Sequence, residues 1–310
     1  MPITYYDTVN LFSCRQKYGH SKTIIPKWRF EKQKFLTQLC NTGIRALFSK
    51  DSYSDAINYE FDSYENNFIN DIDKLNEALN IKNKAIAIID DYNQEDNLFI
   101  NNSSFGFKVG SDYTYKYKGY DFTGYDFTVR PHVMYKDLAD NNIVIENSFS
   151  NIFIPYDDLM FSLKDLYTAY ILHKNNINIS CIVHNQIKSR PCEPVPVLKS
   201  GALSKALSVK TTMERYIKQL QDKNLNIEDY TDVIARLATH PFCDKKIIPI
   251  DIHNAINIVE GYLDGFIYYS NGPTFMEPGV RKCSFCDYKL NCYPDLQQAT
   301  NNINDTEWDD

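Results

Sequence analysis

Phe127-Thr-Val-Arg-Pro-His-Val-Met-Tyr-Lys136-Asp-Leu-Ala-Asp-Asn-Asn142-Ile-Val-Ile-Glu146-Asn-Ser148 is the stretch whose reading decides the fold. Phe127, Val129, Val133 and Tyr135 alternate with Thr128, Arg130, His132 and Lys136, the period of a half-buried strand. Pro131 has no N–H to give a ladder, so a bulge or an edge position is expected there. Asp140-Asn141-Asn142 has turn chemistry, and Ile143 to Ser148 reads as a second strand, so the pair forms a hairpin.

Outward from the hairpin, Tyr156 to Lys174 reads as a helix and Ile177 to His184 as a strand. A polar loop follows, Gln186 to Ser208, then helices from about Thr211 to Leu220, Ile227 to Leu237 and Ile252 to Tyr269. Upstream, Trp28 to Phe48 and Glu60 to Leu79 carry helical patterns, Lys84 to Ile89 reads as a short apolar strand, and Asn97 to Tyr120 as irregular strands and turns. The order predicts an α/β protein, a mixed sheet with helices against it. The expected division is an N-terminal helical region 1–80, an α/β core 81–208, a helical region 209–298, and an acidic disordered tail 299–310.

With 33 basic and 40 acidic residues, a general cationic nucleic-acid coat is excluded, although local basic patches remain open. Four of the last six residues, Asp305 to Asp310, are acids, so the body is only mildly acidic. No run of about 20 apolar residues exists to span a membrane. The N-terminus lacks the basic-then-apolar pattern of a secretory signal. A cytoplasmic protein of a bacterial or phage-infected cell is expected.

Cysteine usage is uneven. Cys283-Ser-Phe-Cys286 is spaced to bite one metal centre, and Cys292 lies within reach after a turn. Three thiolates leave a tetrahedral centre open, and Cys14 is the best candidate for the fourth ligand. That clip would join the two ends of the chain, at a loop-closure cost that grows only slowly with length. Spacing alone leaves iron–sulfur and zinc both open. Cys40, Cys181, Cys192 and Cys243 lack partners at ligand spacing and read as structural, with Cys181 buried in its strand.

Several stretches resemble one group of proteins. They are Cys14-Arg-Gln-Lys-Tyr18, Gly43-Ile-Arg-Ala-Leu-Phe48, Thr128-Val-Arg-Pro-His132-Val-Met134, Ile143-Val-Ile-Glu146-Asn-Ser148, Asp165-Leu-Tyr-Thr168-Ala-Tyr170 and Ile182-Val-His184-Asn185. Together they resemble the RecB-like PD-(D/E)XK nucleases with an iron–sulfur clasp, which include the CRISPR-associated four-cysteine exonucleases. The resemblance implies a restriction-endonuclease-like core with a helical, cysteine-ligated C-terminal region. It also implies a 4Fe–4S cluster on Cys14, Cys283, Cys286 and Cys292, with zinc as the alternative. In such nucleases two carboxylates hold magnesium, and a lysine positions or activates the attacking water.

The active-site pattern departs from that family. Glu146 matches, but His132 stands at the metal-binding Asp position, Ser148 at the lysine and Thr168 at a helix Gln. Lys164, one helical turn before Thr168, is the candidate stand-in for the lysine. His132 is the candidate ligand if manganese replaces magnesium. Asp126 shares the expected strand face with His132 but lies about 20 Å along it, too far for one ion. Gln186-Ile-Lys188 is a second candidate for the Q/E-x-K pattern.

Lys199, Lys205, Lys210 and Arg215, around a helix start, are candidate phosphate ligands. The plain alternative is a surface helix capped by Thr211 or Thr212, with Glu214 in its first turn. The leading expectation is therefore a catalytically degenerate, nuclease-like iron–sulfur protein that binds nucleic acid, DNA first, or docks in a DNA-processing complex. One alternative is an active metal-dependent exonuclease-type enzyme using Glu146 with migrated partners. The other is an unrelated α/β protein with a structural zinc site.

Overall fold

The computed structural model describes residues 2–13, 30–65, 68, 71–95, 107–118, 124–137 and 139–271. Cys14, Cys283, Cys286, Cys292 and the acidic tail lie outside the described residues. The architecture is α/β, with two sheets flanked by helices.

The chain begins with β1 (Ile3–Thr4) and α1 (Tyr5–Ser13), then three helices, α2 (Lys32–Ser49), α3 (Tyr53–Glu65) and α4 (Ile72–Glu95). β2 (Lys108–Val109), β3 (Tyr113–Lys118), β4 (Gly124–Val129), β5 (Val133–Lys136) and β6 (Asn142–Phe149) follow. Next come α5 (Tyr156–Met160), α6 (Leu163–Lys174) and β7 (Ile179–Ile187). α7 (Met213–Asp222), a 3-10 turn (Ile227–Tyr230), α8 (Thr231–Ala238), β8 (Cys243–Pro249) and α9 (Ile252–Ser270) close the described chain.

The larger sheet has the order β2-β5-β6-β7-β8. β6 and β7 are parallel, and the other neighbours are antiparallel. The predicted hairpin is present, with Val133 opposite Ile145 and Met134 opposite Val144. Side-chain alternation splits the sheet into two faces. Val133, Tyr135, Ile143, Ile145, Val183 and Ile187 pack against α2, α3 and α4. Met134, Val144 and Ile182 pack against Ala169 and Leu172 of α6.

α6 is buried on two sides. Its Tyr167, Tyr170 and Ile171 join Phe127, Val259, Leu263 and Phe266 in a second core, beneath the small sheet β1-β4-β3 and α9. A helix gripped from both sides needs apolar residues nearly all round, and Tyr167 to Leu172 are all buried. Ser162 caps it by accepting from the Asp165 N–H, while Asp165 in the first turn and His173 and Lys174 in the last complement the dipole.

Five expectations are corrected. Lys84 to Ile89 is not a strand but lies inside α4. Ala78, Ile81, Ala85, Ile88, Ile89 and Tyr92 recur at helical spacing and are buried along it. A short apolar run is ambiguous by itself, and the longer window resolves it. The predicted helix over Glu60 to Leu79 is the end of α3 and the start of α4. Phe127 to Tyr135 is two strands rather than one. It breaks around Pro131, with β4 in the small sheet and β5 in the large one, which takes Asp126 away from His132's sheet. The helix over Tyr156 to Lys174 breaks at Phe161 and Ser162 into α5 and α6. β8 was not expected at all. It pairs with β7 although it lies beyond residue 208, so the expected core boundary leaves out a strand of its own sheet.

Gly43 lets α2 lie close against Ile57 of α3 and Ile89 of α4. A Cβ there would sit 2.8 Å from Ile57 Cδ1 and 2.9 Å from Ile89 Cγ1. Gly43→Leu is therefore expected to lower stability by about 1–3 kcal/mol through overpacking, read as a fall in urea midpoint at unchanged slope.

Candidate functional site

On the α6 face of the large sheet, a row of polar side chains crosses the strands. Glu146 on β6 sits beside His184 on β7, and His184 beside Lys246 on β8. His132, just before β5, extends the row past Glu146, since Val133 is opposite Ile145. The first turn of α6 lies over this row and adds Lys164 and Asp165.

The structure brings together the three residues singled out as a candidate catalytic set. Lys164 Nζ donates to Glu146 Oε2 at 2.6 Å, and His132 Nδ1 is 3.7 Å from the same oxygen. Glu146 is 6% exposed, so its charge needs this partner. For Lys164, burial works against the charge, but attraction and hydrogen bonding to Glu146 outweigh it and raise the pKa. His132 behaves oppositely. Burial lowers its pKa most, Glu146 partly counters that, and Lys164 and Arg45 push it down further. The ring is therefore neutral at pH 7. Its Nδ1 accepts the Asn147 N–H at 2.9 Å, which puts the ring proton on Nε2. Neither ring nitrogen then presents a lone pair to a metal.

A second pair stands beside the first. His184 Nε2 donates to Asp165 Oδ2 at 2.6 Å, and the Asp165 side chain is only 3% exposed. The two pairs are reciprocal. A strand acid meets a helix base, and a helix acid meets a strand base. Sequence reading missed Asp165 and His184 as a pair. Their signal is the parallel alignment of Glu146 with His184, which local spacing does not reveal. On the opposite face, Asn185 donates to Asn147 Oδ1 at 2.8 Å and to the Tyr92 hydroxyl at 3.0 Å, fully inside the core.

The other candidates are placed differently. Ser148 and Gln186 are neighbours on β6 and β7. Gln186 is buried and bonds the backbone N–H and C=O of Ile154, while Lys188 Nζ donates to Asn151 O at 2.8 Å. This second Q-x-K pair thus pins the loop between β6 and α5. Thr168 Oγ1 donates back to Lys164 O at 2.9 Å. Asp126 is exposed on β4.

The four basic candidates do not converge. Lys199 is exposed. Lys205 donates to Asp229 O and lies 4.7 Å from the Tyr230 ring centre. Lys210 pairs with Glu193 at 2.9 Å. Arg215 points inward, 2.6 Å from the buried Asp91 and 3.0 Å from Gln94 Oε1, tying α7 to α4. Thr212 caps α7 by accepting the Arg215 N–H, which is the plain capped-helix reading. Cys40 is fully buried, and burial raises its thiol pKa. Cys181, expected buried, is only partly so.

Among the described residues, no group of three or more His, Cys, Asp and Glu side chains is arranged to hold a metal ion. Magnesium prefers several oxygen ligands in octahedral array. The donors here are two carboxylates already taken, Glu146 by Lys164 and Asp165 by His184, and a histidine whose Nδ1 is engaged, and they do not fit that demand.

No family model matches this chain, and no curated protein matches it. The crystal structure of SSO0001 aligns over 92% of this chain and 96% of that one, at 11% identity and a TM-score of 0.31. Likeness this loose identifies neither fold nor activity.

Two outcomes follow from the ion-paired row. Lys164→Met should cost about 1–3 kcal/mol, less than a fully buried pair because the lysine is partly exposed, and adding Glu146→Gln should restore part of it in a double-mutant cycle. Because the His132 pKa is lowered in the fold, the unfolded chain takes up that proton first. Stability should therefore fall as pH drops below the ordinary histidine value, about 6.5. The urea midpoint should decline from about pH 7.5 to about pH 5.5, and the decline should shrink in His132→Gln.

Proposed function

We propose that this chain is a PD-(D/E)XK nuclease-like protein that has lost its cutting chemistry. In this reading it carries an iron–sulfur cluster on Cys14, Cys283, Cys286 and Cys292. It acts in DNA processing by binding nucleic acid or docking within a complex. The observation that carries the loss of cutting is the state of Glu146. Its carboxylate faces His132, whose Nδ1 is already engaged by the Asn147 N–H, where a second acid would be needed to hold a divalent metal. The surrounding β5–β6 hairpin, α6 and β7 supply the strand–strand–helix–strand order that the reading requires.

One observation favours a second reading, an active metal-dependent nuclease. Lys164 reaches Glu146 from α6, so a lysine stands beside the retained acid although Ser148 is not one.

Protein purified anaerobically decides between them. Iron and acid-labile sulfide should reach about four each per chain, and Cys14→Ser should lose them. No cleavage of single- or double-stranded DNA is expected with magnesium or manganese. Metal-dependent cleavage that Glu146→Ala abolishes would overturn the proposal and establish the second reading. Zinc in place of iron would point instead to a structural zinc protein.

A further inference from the structure

A cavity of about 310 Å³ lies at the C-terminal end of β7, away from the Glu146 row. Two connections build it. The loop 188–212 leads from β7 to α7, with Thr212 as the helix cap, and the segment after α8 leads through Pro241 and Phe242 into β8. The Lys188 N–H donates to Phe242 O at 2.9 Å and holds the two sides together.

The lining is unbalanced in charge. Lys188, Arg190, Lys210, Arg236 and His240 contribute to it, and no Asp or Glu does. Ser208 and Thr211 add hydroxyls, and Leu207 and Phe242 an apolar side. Most of the cations keep donors to spare. Arg190 is exposed and makes no ion pair among the described residues. Arg236 spends one nitrogen on Ala206 O at 3.0 Å, leaving the rest of its fork. Lys210 meets Glu193 in a solvent-exposed pair that costs little to break. Burial first, and then the nearby Arg190, holds the Lys188 pKa below the usual lysine value, with Asp244 partly countering them.

These features select the ligand's chemistry. A metal cation is repelled. A wholly apolar ligand would strip water from several charged groups and return no hydrogen bonds. A single carboxylate would leave most of the positive charge unmatched. A phosphate brings a greater negative charge and suits guanidinium forks, lysines and hydroxyls together. The volume is at the small end of ligand pockets, enough for one nucleotide-sized group.

We propose that this cavity binds the phosphate of a nucleotide, free or at the end of a nucleic-acid strand, with Arg190 and Arg236 as its main ligands and the Leu207–Phe242 side against the nucleoside. The site goes beyond the nuclease-like reading. It uses none of Glu146, Lys164 or His132 and needs neither cluster nor divalent metal.

Calorimetric titration of the full chain tests it, with AMP, adenosine and inorganic phosphate as probes. AMP should bind saturably, with an affinity that falls as salt rises, and adenosine should bind at least about tenfold more weakly. Arg190→Glu should weaken AMP by about tenfold or more, and Arg190→Lys by less. Arg190 is exposed, so these variants should fold, and circular dichroism checks that they do. Competition by a 5′-phosphorylated oligonucleotide, with none by its 5′-hydroxyl counterpart, would assign the phosphate to a strand end. AMP binding without such competition would assign it to a free nucleotide. Equal binding of AMP and adenosine, no saturation at millimolar AMP, or unchanged affinity in Arg190→Glu would overturn the proposal. The AMP arm contains no DNA, so its failure would leave the nuclease-like reading untouched.

Discussion

The parallel pairing of β6 with β7 is the constraint on which the rest of the molecule hangs. Antiparallel neighbours can be joined by a tight turn, as β5 and β6 are. Parallel neighbours cannot, so the chain must cross the sheet and return. That crossover is α5 and α6, and it forces α6 onto one face of the sheet. The side of α6 turned from the large sheet then becomes the floor on which the small sheet and α9 are laid. Two cores thus share one helix.

The same crossover explains the crossed pairs. Lys164 and Asp165 are consecutive on the helix, and Glu146 and His184 are neighbours on adjacent strands. Sliding or rotating α6 would break both contacts together and leave two nearly buried carboxylates without partners. Taking such charges out of water costs several kcal/mol per ion, and good geometry does little more than offset it. Their contribution is therefore better described as setting the position of α6 than as adding stability.

Much of this was legible from local pattern. Alternation around Val133 and Ile145 located the hairpin, and one helical turn back from Thr168 located Lys164, so His132, Glu146 and Lys164 could be named as a set. Asp165 with His184 could not, because a residue's neighbour on a parallel strand depends on a register set by the whole crossover. β8 has no clean alternation to announce it, because Lys245 and Lys246 interrupt its apolar residues and Pro249 ends it, and lysine and proline are what an edge strand carries to discourage further pairing. α4 was misread because Ala-Ile-Ala-Ile-Ile suits either period when seen alone. Arg215 looked like a surface cation, and only the fold shows the buried Asp91 that draws it inward.

The late arrival of β8 has a consequence for synthesis. β7 is complete at residue 187, but the strand that covers its open edge begins at residue 243. At about 5–20 residues per second, a ribosome takes several seconds to make the segment between them. Throughout that interval the nascent chain displays a row of unpaired backbone groups on an apolar strand, the template on which chains join edge to edge. Faster passage from β7 to β8 shortens the time for which that edge stands open.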